Sequence, residues 1–138
     1  MEETLASHNS YRIKNGKPPL QWCEQCAKAA QQWANTLASQ NQFAHGNLDT
    51  PHGRVGQNLA MGGQNMSVSK AVDLWMSEQP KYCPGQNYFQ PACGHYSQIV
   101  WKNTTHVGTA VAQVGNRRIV VANYHPAGNV SGQFIANV

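Results

Sequence analysis

Gly94-His95-Tyr96-Ser97-Gln98-Ile99-Val100-Trp101-Lys102-Asn103 is the stretch on which the fold of this 138-residue chain turns. Ile99, Val100 and Trp101 read as core, and the spacing predicts a short helix over residues 96–101. His95 stands three positions before Gln98, where the chain can face a cavity. A histidine held by a packed element can ligate a metal or move a proton. What it does depends on which residues stand beside it.

Working outward, residues 3–15 are predicted to form a helix ended by Asn15-Gly16, a favourable C-cap pair. Pro18-Pro19 then enforces an extended link. A second helix is predicted over 23–39. Ala27, Ala30, Ala34, Leu37 and Ala38 give it a small-residue face that suits close approach to another layer. Residues 40–66, with Gly46, Pro51, Gly53, Gly56, Gly62 and Gly63, read mostly as loop. A third helix is predicted from Ser69 to Glu78, with Val72, Trp75 and Met76 on one face, stopping at Pro80. Two strands follow over 107–114 and 118–124, joined by Gly115-Asn116, which is hairpin chemistry. Gly108 marks a bulge or a close backbone contact. Helices first and a hairpin last predict an α+β fold rather than alternating βαβ units.

Composition bounds the class. The length predicts one domain over residues 1–138. Hydrophobic residues make up 41% and charged residues 12%, too apolar and too weakly charged for disorder. No apolar run approaches the ~20 residues of a membrane span. No signal peptide opens the sequence, so the chain is expected to be cytosolic or a mature, trimmed form. The net charge of +4 comes from scattered cations, with Arg117-Arg118 the only adjacent pair. Nucleic-acid binding, which needs a concentrated basic face, is not expected. Weak attraction to an anionic membrane surface fits better, at ~1 kcal/mol per well-placed cation.

The cysteines are Cys23, Cys26, Cys83 and Cys93. Cys83 and Cys93 bracket a loop rich in Pro, Gly and Asn. A disulfide there would stabilise by roughly 2–3 kcal/mol in the chain-entropy model. Cys23-Glu24-Gln25-Cys26 has redox-motif spacing, but no preceding strand is evident to support an oxidoreductase. Zinc held by all four cysteines is an alternative. The favoured reading is a disulfide acting as a local staple at a helix start. Paired cysteines in a small domain favour an oxidising compartment. Asn-x-Ser/Thr sequons at Asn65, Asn103 and Asn129 lean the same way.

Six histidines are present: His8, His45, His52, His95, His106 and His125. His45, in Phe43-Ala44-His45-Gly46, and His95 both sit beside glycines and aromatics, where turns can present an imidazole to a cleft. Glu78 is one of six acidic residues and closes an apolar helix. Two histidines and a carboxylate in one cleft can bind a zinc-like cation or serve acid/base chemistry. Ser97 lacks the Gly-x-Ser-x-Gly context of a nucleophile.

Four segments carry a resemblance. Gly94–Asn103 resembles the first signature of the CAP superfamily: cysteine-rich secretory proteins, insect venom antigen 5 proteins and plant pathogenesis-related proteins of group one. Val120-Val121-Ala122-Asn123-Tyr124-His125-Pro126-Ala127-Gly128-Asn129 is similar to the second signature. His8-Asn9-Ser10-Tyr11-Arg12 resembles the first-helix motif, and Gly56-Gln57-Asn58-Leu59-Ala60 the Gly-Glu-Asn-Leu segment. They span residues 8–129 in the family's order.

The resemblance implies a three-layer α-β-α sandwich with a central antiparallel sheet and an open cleft lined by two histidines and two acids. Carried over, the cleft tetrad is His45, Gln57, Glu78 and His95. Gln57 stands where the family has glutamate. A glutamine is no general base and is a poor metal ligand, so any divalent cation site is weakened. His45 and His95 remain a possible pair for zinc or copper, with no cofactor required. Calcium or magnesium, which need several oxygen ligands, fit less well. Ala122 replaces a cysteine found in many secreted members, whereas Cys93 matches a family position. The chain resembles compact single-domain members, and no cysteine-rich module is expected. The Golgi-associated branch's N-terminal myristoylation glycine is replaced by Glu2.

For function, the resemblance points to a secreted, non-enzymatic binding protein for lipids, sterols or fatty acids, with roles in defence, venom or secretion. Sterol capture would use the segment near Trp33, Leu37 and Phe43. A protein receptor with a vestigial cleft is an alternative, and a metal-assisted hydrolase is less favoured. A cytosolic or Golgi-associated location is the alternative to secretion.

Overall fold

The computed structural model describes residues 1–46, 48–50 and 53–138. Pro51 and His52 lie outside the described residues. The elements are α1 (Glu2–Lys14), β1 (Gln21–Trp22), α2 (Glu24–Gln40), β2 (Asp49–Thr50), β3 (Gly53–Arg54), β4 (Gly56–Gly62), α3 (Val68–Met76), α4 (Gly94–Val100), β5 (His106–Val114), β6 (Arg117–His125) and α5 (Phe134–Asn137). Single 3₁₀ turns at Gln79–Lys81 and Pro91–Cys93 flank the loop before α4.

The main sheet has the order β1-β5-β6-β4. β4, β6 and β5 are antiparallel, and β1 adds two residues parallel to β5. Side chains alternate faces along each strand. On one face Val107, Val120, Ala122 and Tyr124 pack in a core with Ala71, Val72 and Trp75 of α3 and Tyr96, Ile99 and Val100 of α4. On the other, Leu59, Ala110, Ala112, Ile119 and Val121 meet Ala30, Ala34 and Leu37 of α2. This is the expected three-layer α-β-α sandwich.

The alanine face of α2 permits a close approach, and Gly108 completes it. A Cβ at Gly108 would collide with the backbone of Cys23, Cys26 and Ala27. The glycine therefore marks a contact, while the β5–β6 register runs through it unbroken. The hairpin turn is also as expected: Val114 pairs with Arg117, and Gly115 takes φ +57, the position a primed turn reserves for glycine.

One expectation is refined and another corrected. The 40–66 segment, read mostly as loop, also carries the full sheet strand β4, which pairs with β6 along its whole length. Its flanking glycines are there for space: a Cβ at Gly56 would strike the Gln98 side chain, and one at Gly62 would lie 2.6 Å from Met66 Cε. A strand also precedes the Cys-x-x-Cys pair, since β1 ends at Trp22.

Buried polar groups tie the layers. His8 is fully buried; its Nδ1–H donates to Thr4 O at 2.8 Å, so Nε2 accepts from Tyr124 OH at 2.7 Å. A backbone carbonyl can only accept, which fixes the tautomer. Arg12, also fully buried, donates to Pro18 O, Ile99 O, Trp101 O and Thr104 O at 2.6–3.1 Å. Asn9 bonds both the N–H and the carbonyl of Leu20. The His8–Arg12 motif is thus a bracket that fixes α1 against the end of α4.

Candidate functional site: a cleft with two oriented histidines

The cleft forms where β4 and α4 meet the loop that follows β6. Glu78, just past the end of α3, holds the start of α4 at three points, two on His95 and one on Tyr96. Its Oε2 accepts from His95 Nδ1 at 2.7 Å, and its Oε1 accepts from the backbone N–H of His95 (3.0 Å) and Tyr96 (3.2 Å). Both carboxylate oxygens are committed to orienting α4, so Glu78 backs His95 rather than facing the cavity. Trp75, fully buried and donating to Leu59 O, stacks on the imidazole with ring centroids 6.1 Å apart. From below, Asn58 donates to His95 O at 3.2 Å and to Tyr124 OH at 3.3 Å.

His45 is held differently. Gln57, on β4, accepts through Oε1 from His45 Nδ1 (3.0 Å) and from the N–H of Gly46 (3.1 Å). Its amide nitrogen donates to Asn123 Oδ1 at 3.0 Å, and Asn123 Nδ2 donates to Cys26 O at 3.2 Å. Every amide in this chain is oriented by a fixed backbone group at each end. Trp33 packs where a Gly46 Cβ would sit and donates to Ala44 O, bracing the turn that carries His45.

The outcome is symmetric. Each histidine spends Nδ1–H on an acceptor behind it; among the described residues neither Nε2 has a hydrogen-bond partner, and both rings line the cavity. A second shell that fixes tautomer and ring orientation is the arrangement found around metal-ligating imidazoles. The cavity holds about 190 Å³ and is lined by His45, Gln57, Asn58, Phe89, His95 and Asn129 among others. A neighbouring groove of about 350 Å³ shares His45, Gln57, Phe89 and Asn129, and adds Leu48, Val55, Val130 and the cation Arg54.

Of the predicted tetrad, His45, Gln57 and His95 line this cavity, with Glu78 behind. Among the described residues, no group of three or more His, Cys, Asp or Glu side chains is placed to hold a metal ion. Ser97 is buried, and its hydroxyl is bonded to Asn129 Oδ1 at 2.6 Å and Gly94 O at 3.2 Å. Asn123, Asn58 and Asn129 are the residues that sequence reasoning missed as cleft supports. Asn123 and Asn129 lie in the second signature segment, and Asn58 follows Gln57.

The cysteine assignment is half right. Cys23–Cys26 is a disulfide, which removes a four-cysteine zinc site. Cys83 and Cys93 are free thiols, the first exposed and the second buried. Gln90 closes their loop instead: Cys83 N–H donates to Gln90 Oε1 at 2.9 Å, and Gln90 Nε2 donates to Cys83 O at 3.0 Å. Cys93 Sγ points to Gln90 O and Oε1, and burial pushes its thiol pKa up. The Trp33–Leu37–Phe43 segment does not act as one surface. Leu37 is core, Trp33 braces the His45 turn, and Phe43 is exposed.

The family model for CAP, the cysteine-rich secretory protein family, matches residues 5–124. This chain belongs to the CAP family. It is 39% identical to pathogenesis-related protein 1A of Nicotiana tabacum over 136 residues, covering 96% of this chain and 78% of that one. It is 38% identical to the human Golgi-associated plant pathogenesis-related protein 1 over 139 residues, covering 99% and 90%. Among solved structures, NaASP2 with Zn2+ aligns at a TM-score of 0.75 and 25% identity, covering 95% of this chain and 81% of that one. Within the CAP frame, the fold and the placement of the signature segments follow the resemblance read from the sequence.

Proposed function

We propose that this CAP protein is a secreted, non-enzymatic binding module for an anionic amphiphile such as a fatty acid or a sterol sulfate. The observation that carries this is the wall the two cavities share: His45, Gln57, Phe89 and Asn129 line both the polar recess and a groove that adds Leu48, Val55, Val130 and Arg54. An anionic head would sit against Arg54, or against a cation held on the Nε2 atoms of His45 and His95, since bare Nε2 is an acceptor, and a hydrocarbon tail would lie along the groove. Ligand sites of this size are mainly apolar with a few placed polar groups. The non-enzymatic reading is supported by Ser97, whose hydroxyl is turned into the protein.

The proposal extends to zinc as a two-imidazole ligand set. His45 and His95 would hold it through Nε2, with Glu78 and Gln57 as the orienting groups; bound zinc would supply a positive centre for an anionic head. Secretion is supported by the family's secretory description and by the Cys23–Cys26 disulfide. The Golgi-associated relative supports the alternative location. No helix among the described residues is long and apolar enough to cross a membrane.

The test is titration calorimetry with palmitate and cholesterol sulfate against the chain and its surface variant Phe89→Ala/Val130→Asp. Saturable binding near micromolar affinity, about −8 kcal/mol, weakened at least tenfold in the variant, supports the proposal. Absence of saturable binding to both ligands refutes it.

A further inference from the structure

A separate cavity, of about 360 Å³, shares no lining residue with the cleft or its groove and lies against the Cys23–Cys26 disulfide. Trp22, Glu24 and Gln25 form part of its wall. His106 and His125, which face each other across β5 and β6, form the rest.

The backbone around this disulfide is held without it. Cys23 N–H donates to Val107 O at 2.9 Å, and Cys23 O accepts from Ala27 N at 3.0 Å. Cys26 O accepts from Asn123, and Gly108 lets β5 lie flush on the turn. Loop-closure stabilisation is smallest for short loops, and this bridge spans a sequence separation of 3. Opening it costs the fold little.

Its chemistry is asymmetric. Cys23 reaches the cavity, whereas Cys26 is fully buried. Cys23 Sγ is the N-cap of the 17-residue helix α2 and accepts from Cys26 N–H at 3.1 Å. Helix N-termini and Cys-x-x-Cys spacing both favour the thiolate. Glu24, the acid of that first turn, has its Oε2 drawn aside by Trp22 Nε1 at 2.9 Å. With β1 before it and α2 after it, the pair occupies a strand–Cys-x-x-Cys–helix junction.

We propose that Cys23–Cys26 is a thiol–disulfide exchange site that accepts electrons from low-molecular-weight thiols entering this cavity. The thiolate of one small thiol attacks Cys23 Sγ. A mixed disulfide forms there, the Cys23–Cys26 bond breaks, and Cys26 Sγ leaves with the electron pair and takes a proton. A second small thiolate attacks the small-molecule sulfur of the mixed disulfide. Cys23 is released as a thiolate onto the N–H of Cys26. In sum, two thiols become one small disulfide; two electrons and one proton pass to the protein pair, leaving Cys26 a thiol and Cys23 a thiolate, and the second proton goes to solvent.

The test uses the Cys83→Ser variant, which removes the exposed free thiol, and glutathione as the probe. The oxidised protein is equilibrated across a series of reduced-to-oxidised glutathione ratios. It is quenched by alkylation and read by peptide mass spectrometry, with near-ultraviolet circular dichroism recording the fold. The expected result is a reduced fraction that follows the ratio while the folded spectrum persists. In the added Cys26→Ser variant, the glutathione adduct on Cys23 exceeds that on Cys26 in a Cys23→Ser variant by about tenfold. A pair that stays oxidised at every ratio until denaturant is added overturns the proposal, as does equal adduct formation at the two positions. Should the serine variants unfold, the equilibrium on the intact pair decides alone.

Discussion

Glu78 grips His95 by both its ring and its backbone: Oε2 accepts from Nδ1 at 2.7 Å while Oε1 accepts from the peptide N–H at 3.0 Å. One carboxylate therefore sets both the position of α4 and the tautomer of its imidazole. Glu78→Gln replaces one acceptor oxygen by a donor, so it cannot serve all three N–H groups. Zinc affinity by calorimetry is expected to fall about 10–100-fold, the range for lost second-shell partners. Amide exchange at His95 and Tyr96 should quicken in the same variant. His45→Ala or His95→Ala should abolish zinc binding. Unchanged zinc affinity in Glu78→Gln would show that the carboxylate does not orient the ligand.

Gln57 and Asn123 form a matched pair. Gln57 donates to Asn123 Oδ1, and Asn123 is pinned the other way round by Cys26 O. Gln57→Glu sets a carboxylate oxygen against Asn123 Oδ1. Either that contact or an amide turned against Cys26 O goes unsatisfied, at about 1–3 kcal/mol. Urea unfolding should report that loss in the metal-free variant, while its zinc affinity rises with the added charge. A variant as stable as the parent would mean that Asn123 is free to turn.

Stability should depend on the buried His8. Burial pushes its imidazole from 6.5 down to about 4. Between these values the unfolded chain binds a proton that the folded chain refuses, so stability rises with pH across this window. It is complete above about 6.5 and lost as pH falls towards 4, by on the order of 3 kcal/mol. His8→Gln, which retains hydrogen-bonding groups at the site, should flatten the dependence of the urea midpoint between pH 7 and 4 by one proton's worth. An unchanged slope would place the acid sensitivity elsewhere.

Arg12 is a buried cation answered, among the described residues, by four carbonyls and no carboxylate. Burial lowers its pKa to about 10, so it stays charged at neutral pH. Arg12→Met keeps much of the volume and removes every donor. The stranded carbonyls should cost about 3–5 kcal/mol, read as a lower urea midpoint at unchanged slope. A loss under 1 kcal/mol, about the worth of one ordinary hydrogen bond, would contradict the bracket role.

The sandwich was legible because its elements carry periodic signals: the alanine face of α2, the apolar face of α3 and the glycine turn of the β5–β6 hairpin. β4 was hidden by glycines that are present to admit Gln98 and Met66 rather than to break a strand. β1 is too short to show a period. His45, Glu78 and His95 stood out by their local contexts, but they are spread along the chain, and only the resemblance joined them with Gln57 into one site. Their roles were not: that Glu78 stands behind His95, or that Gln57 reaches Cys26 through Asn123, depends on side chains the fold brings together. The expected Cys83–Cys93 bridge failed for a similar reason. A single glutamine, Gln90, provides by hydrogen bonds the closure that loop spacing assigned to sulfur.

The central claim is that His45 and His95 present their Nε2 atoms to a cleft that receives the head of an amphiphile. Long-range ¹⁵N correlation spectra of the histidine rings, recorded during a palmitate titration, test it most directly. The prediction is Nδ1–H tautomers for both residues and saturable shifts at His45 and His95, with the buried His8 ring unmoved. Nε2–H tautomers at both histidines, or rings that do not respond at saturating palmitate, would contradict the account.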